Sequence, residues 1–228
     1  MKKMNQQINS ILLLLFLVSC RQSTPNFSES ELLLFKSIGF DKEVLSDIKK
    51  TINEEITQLE VSEPGYIIDK NGEQQKTGIE KVNGISFKVM ENESNGIILK
   101  NKNKLKEKGY LIFLSESGYK TPSTISIIKS TDKFDILKIQ KTDGINFDIE
   151  NEDVIKKLKD WDKIYGIEIL GADYDWVDLT FNKDIKDISL FAKEVYDFCP
   201  DAVDQGVGEI SELERILKEE KRLFLWWD

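Results

Sequence analysis

The chain ends on Arg-Leu-Phe-Leu-Trp-Trp-Asp, residues 222–228. Read as a strand, Leu223, Leu225 and Trp227 fall on one face, with Phe224, Trp226 and Asp228 on the other. Both faces are apolar up to the final acid, so the strand is expected to be covered on both sides, inside a core. A membrane contact is not expected there. Lys218, Lys221 and Arg222 are outnumbered by five acids between Glu209 and Glu220.

Upstream, local signals set out the elements. Ser28 and Glu31 form an S-x-x-E capping box, with Phe27 and Leu32 placed as a hydrophobic staple. That helix is expected to stop at Ile38, with Gly39 in the left-handed cap. Asp41 opens a second helix with a stripe of Leu45, Ile48, Ile52, Ile56 and Leu59, closed by Pro64-Gly65. Ile85, Phe87 and Val89 alternate along a strand, a helix covers about 95–108, and "YLIFLS" is the next strand. Strand, helix and strand in that order predict a parallel crossover.

From "STISIIK" onward the order reads β-α-α-β-β-α-α-β. One helix covers about 132–141. The next, about 152–162, is capped by Asn151 or Asp153 and turns Val154, Ile155, Leu158 and Trp161 inward. "YGIEILG" and "WVDLTF" make a hairpin around "ADYD". Ile188, Phe191, Ala192, Val195 and Cys199 form an apolar helix stripe, which places Cys199 in the core. Ser211 and Glu214 box the last helix. The expected class is α+β, with a ferredoxin-like split β-α-β C-terminal domain carrying extra helices, preceded by a helical hairpin and a β-α-β segment. All four tryptophans lie after residue 160, a shift that puts a boundary at 120/121 and gives regions 28–120 and 121–228.

Three stretches of the second half, "DKFDILKIQKTDGINFD", "DVIKKLKDWDKIYGIEILGADYDWVDLTF" and "AKEVYDFCPDAVDQGVG…LFLWWD", resemble a bacterial family known only as domain of unknown function 4253. The Cys-Pro-Asp…Asp-Gln-Gly loop and the terminal Trp-Asp carry the resemblance best. It implies a bacterial α+β domain over about 122–228 and implies no activity.

The N-terminus carries an address. Lys2 and Lys3 precede an apolar run of eight, Ile11–Val18, far short of the ~20 residues that span a bilayer. Leu17-Val18-Ser19-Cys20 then resembles a bacterial lipobox. Residues 1–19 are expected to be a signal peptide, Cys20 to be lipidated, and 20–27 to be a tether. Residue 21 is Arg and not Asp, which by resemblance to the sorting rule of double-membraned bacteria directs the protein to the outer membrane, facing the periplasm.

The charge narrows partners and chemistry. Lys and Arg total 32 against 41 Asp and Glu, a net −9. The signal segment carries two lysines and no acid, so a chain beginning at Cys20 stands at −11. No basic patch offsets this, which argues against nucleic acid and anionic lipid. Histidine is absent, removing Ser-His-Asp and Cys-His mechanisms and the usual zinc sites. Of three acidic clusters, "TDGINFDIENED" lacks calcium-loop spacing and "ADYDWVD" reads as a turn. The third, "CPDAVDQGVG", offers Asp201, Asp204 and Gln205 beside two glycines, with Asp228 as a further candidate. Such a loop can hold Mg2+ or Ca2+.

The expected function is a lipid-anchored envelope protein with a non-catalytic acidic domain that needs no cofactor and binds a protein or small ligand. The alternatives are a metal-dependent hydrolase using the Asp201–Asp204 loop, and an immunity or interaction partner of a secreted toxin.

Overall fold

The computed structural model describes residues 25–68, 70–72, 74–118 and 121–228. The expected signal segment, Cys20 and most of the tether lie outside the described residues.

Two helices open the described chain, α1 (Glu29–Ile38) and α2 (Lys42–Lys49). The capping box of α1 forms as expected, and Gly39 takes φ 67°. Phe27 packs edge-on against Phe35, at 5.4 Å between centroids, while Leu32 stands 42% exposed. The staple therefore closes one turn further along than Leu32. Glu31 exceeds its capping role. Its side chain is fully buried, lies 2.6 Å from Lys49 Nζ and accepts the Ile56 N–H at 2.8 Å. Burial alone would raise this carboxyl; the Lys49 ammonium and the N–H groups of Ile56 and Ser28 hold it below its ordinary value.

Helix α2 is shorter than the stripe implied. The β-branched Thr51 and Ile52 and then Asn53 are poor helix formers. Thr51 turns its hydroxyl back to the Ile48 carbonyl, at 2.8 Å. Ile52, Ile56 and Leu59 are buried all the same, but on a turn and a strand. Pro64-Gly65 lies within that strand, β1 (Thr57–Ile68). It forms a long hairpin with β2 (Gln74–Val89), followed by α3 (Glu91–Glu107), β3 (Tyr110–Glu116) and β4 (Ser123–Lys129).

Next come α4 (Asp135–Gln140), α5 (Asn151–Tyr165), β5 (Ile167–Ala172), β6 (Trp176–Phe181), α6 (Ile188–Phe198), α7 (Ile210–Glu219) and β7 (Arg222–Trp226). Two caps differ from expectation. Glu150 caps α5 and donates its N–H to Asp153, while Asn151 ties the preceding loop by donating to the carbonyls of Leu137 and Thr142. Glu209 takes the N-cap position of α7 without a side-chain cap bond, and Ser211 lies inside the helix.

The protein is α+β, around a seven-stranded sheet in the order β1-β2-β4-β3-β5-β6-β7. β4 pairs antiparallel with both β2 and β3, so β2 and β3 run parallel without touching. The expected direct crossover is thus a split one, with β4 filling its gap. The only parallel neighbours among the described strands are β3 and β5, registered at Leu114 and Gly171. The ferredoxin-like order for the second half is not what forms. There the first and third strands would be neighbours; here β3 stands between β4 and β5, and β7 takes the free side of β6. β3 and β4, on either side of the expected boundary, are neighbours in one sheet.

Strand alternation divides the core between the faces. Ile85, Phe87, Ile112, Ile125 and Ile127 pack with α1–α3 on one side. Leu111, Phe113, Ile128 and the inner residues of β5–β7 pack with α4–α7 on the other. Among the described residues, no helix is long and apolar enough to cross a membrane.

Candidate functional site

The candidate residues of the sequence meet at the outer edge of β7. Helix α6 ends at Phe198, Cys199 and Pro200 follow, and Ala202–Val207 coil into a single π-helical turn. Asp201 is 7% exposed and accepts the backbone N–H of Asp228 at 2.9 Å. Cys199, fully buried, donates its thiol to the Trp226 carbonyl at 3.1 Å. Burial pushes that thiol up to about 11. The indole N–H of Trp227 points to the Phe198 carbonyl at 3.4 Å, and its ring packs over Gly144. A Cβ at Gly144 would stand 2.8 Å from that ring, so only glycine fits beneath it. The Cys-Pro-Asp turn and the terminal Trp-Trp-Asp are thereby one structural unit.

Residues 124–228 match the family model described as Domain of unknown function (DUF4253). No curated protein and no solved structure matches the chain. The DUF4253 region thus begins at β4 and includes the whole β7 edge.

The four candidate residues divide within this region. Asp201 and Asp228 come together, through a backbone hydrogen bond. Asp204 is exposed and lies 3.4 Å from the Tyr196 hydroxyl. Gln205 is exposed and lines a groove of about 260 Å3 beside β7. Val207, Leu213, Ile216 and Leu223 supply its apolar lining, with Asp201, Arg222 and Trp226 around them. Among the described residues no group of three His, Cys, Asp or Glu side chains is placed to hold a metal ion.

The backbone of β7 decides what the edge can do. Trp227 donates its N–H to the Asp175 carbonyl and Lys221 accepts from Phe181, so odd-numbered residues bond to β6. Even-numbered residues turn their N–H and C=O outward. At the C-terminal end, Cys199 and Asp201 occupy the outward groups of Trp226 and Asp228. Arg222 and Phe224 have no such cover among the described residues.

The two faces of β7 are unequal. Leu223, Leu225 and Trp227 are buried, at 3% exposure or less, but Phe224 is 49% exposed. The expectation of cover on both sides fails because all the helices beside β5–β7 pack on one face. On the other face Phe224 stacks on Trp176 at 5.6 Å. Beside them Arg222 donates from Nε to Asp178 Oδ1 at 2.8 Å, with a second contact to Oδ2, and so neutralises an acid that is 3% exposed. This pair was not anticipated. Its signal is the antiparallel register of β6 and β7, which sets Asp178 opposite Phe224 and Arg222 on the diagonal. Burial raises the Asp175 carboxyl, a shift partly offset by its own backbone N–H, the Tyr174 phenol and the Trp226 indole.

Proposed function

We propose that this chain is a lipid-anchored bacterial envelope protein whose acidic, non-catalytic domain captures an extended segment of a partner protein at the β7 edge. The observation that carries the reading is the open backbone at Arg222 and Phe224 beside an apolar groove of about 260 Å3. An extended segment adding there bonds to the edge through its backbone and places one large apolar side chain in the groove. The net charge, −11 for a chain beginning at Cys20, favours a basic segment. Leu17-Val18-Ser19-Cys20 supports the anchor, and Arg21 supports the outer membrane. The hydrolase alternative draws less support from the Asp201–Asp204 loop, since Asp201 accepts from the Asp228 backbone and Asp204 from the Tyr196 hydroxyl.

Affinity capture from detergent-solubilised envelopes of the source bacterium tests this. Phe224→Lys places a charge on the edge, while Ile164→Lys does so on α5, at a residue 60% exposed. A partner held by the wild type and Ile164→Lys but lost from Phe224→Lys is the expected result. Equal recovery from all three proteins refutes the edge reading.

A further inference from the structure

We propose that the outer face of α1 lies on the lipid surface and sets the orientation of the domain. This rests on the anchoring reading above. Leu32 and Leu33 are consecutive, and they are 42% and 62% exposed. The inner face of α1 is already committed, with Phe35 in the core and Glu31 locked to Lys49. The two leucines lie outside both apolar clusters of the described protein.

Chain length names what covers them. Only Arg21–Phe27, seven residues, separate Cys20 from the Ser28 cap. Fully extended they reach at most ~25 Å, so a lipidated Cys20 keeps α1 within that distance of the bilayer. Such a short link gives a high effective concentration, and a contact too weak to hold a free protein becomes populated. The charge on this face suits it. Leu33 is flanked one turn away by Glu29 and Lys36, both exposed and of opposite sign. A chain of net −11 is repelled by anionic lipid, but this near-neutral face with two leucines fits a zwitterionic surface.

The full chain, expressed with its anchor, is reconstituted into vesicles of phosphatidylethanolamine and phosphatidylcholine. An environment-sensitive fluorophore is attached at Leu33→Cys or, for comparison, at Leu190→Cys on α6, a position 65% exposed. Cys199 is buried and escapes the label. Lipid-borne nitroxide is expected to quench the label at position 33 several-fold more than the label at 190. Adding Leu32→Asp is expected to abolish the difference. Equal quenching at both positions overturns the α1 contact while leaving the anchor intact. Vesicle flotation reads the anchor separately: the wild type floats and Cys20→Ser stays behind. A wild type that does not float overturns both readings.

Discussion

Glu31 shows how much a single carboxylate can hold. It caps α1, neutralises Lys49 and satisfies the Ile56 N–H where the chain enters β1. Glu31→Ala leaves an ammonium and two N–H groups without their acceptor, at a cost of about 3–5 kcal/mol. Urea titration checks the size, and its pH dependence checks the cause. The folded protein holds Glu31 below its ordinary 4.5, so its contribution is complete above that value. It is lost as pH falls through the lower folded value, and the gap between wild type and Glu31→Ala should close on acidification. Cys199 has the opposite sign. Its thiol is raised from 9.0 to about 11, so the fold favours the protonated form. That contribution is full below pH 9 and disappears as pH rises toward 11. The urea midpoint of the wild type should fall across that window more steeply than that of Cys199→Ala. At neutral pH, thiol reagents should modify Cys199 far faster in urea than in the native protein.

Among the elements, β7 has two faces with unequal work. Trp227, 3% exposed, packs on Phe198 and Gly144, and Trp227→Ala should cost about 3–5 kcal/mol. Phe224, half exposed, stacks only on Trp176 among the described rings, and Phe224→Ala should cost less than about 1 kcal/mol. Chemical unfolding of the two variants decides this; similar losses would mean that the outer face is covered. The alternation of 222–227 was readable as a strand because period two is a local property. Which face stays open was not, because it depends on where α6 and α7 land. The Ser28–Glu31 box, the Gly39 cap and the stripe ending at Cys199 were legible for the same local reason. The helical stripe runs past the end of α2 because Ile52, Ile56 and Leu59 satisfy helical spacing by coincidence while being buried on a turn and a strand. At the candidate site, Asp201 and Asp228 could be picked out by residue type. That they meet through a backbone N–H could not.

For the whole molecule, the position of β3 matters most. It precedes the region that matches the family model, yet it separates β4 from β5. A chain of residues 124–228 alone would lack its parallel neighbour for β5 and leave β4 without either partner. It should show no cooperative unfolding, whereas residues 25–228 should unfold in one transition. All four tryptophans lie within 124–228, so their fluorescence reports on both. Adding a peptide of Lys108–Gly118 should restore part of the signal. A cooperative transition from 124–228 alone would show that this region closes its own sheet. Sequence signals separated the halves at 120/121 because composition changes there; strand adjacency across that point is a long-range property with no local mark.

The strand order also decides how the protein would bear a load. β1, nearest α1, and β7 are the two outer strands, six spacings apart, or about 29 Å at ~4.8 Å each. A bilayer holding α1 and a partner holding β7 would pull across the strands, along the hydrogen bonds and not along the chains. Under such tension the bonds open pair by pair, as a zip opens, instead of resisting all at once. Between β3 and β5 the strand register is shortest, a single pair at Leu114 and Gly171, so there the load falls on the shared apolar core more than on backbone hydrogen bonds. If the two contacts proposed above both form, tension between bilayer and partner is carried across these joins and not along the chain.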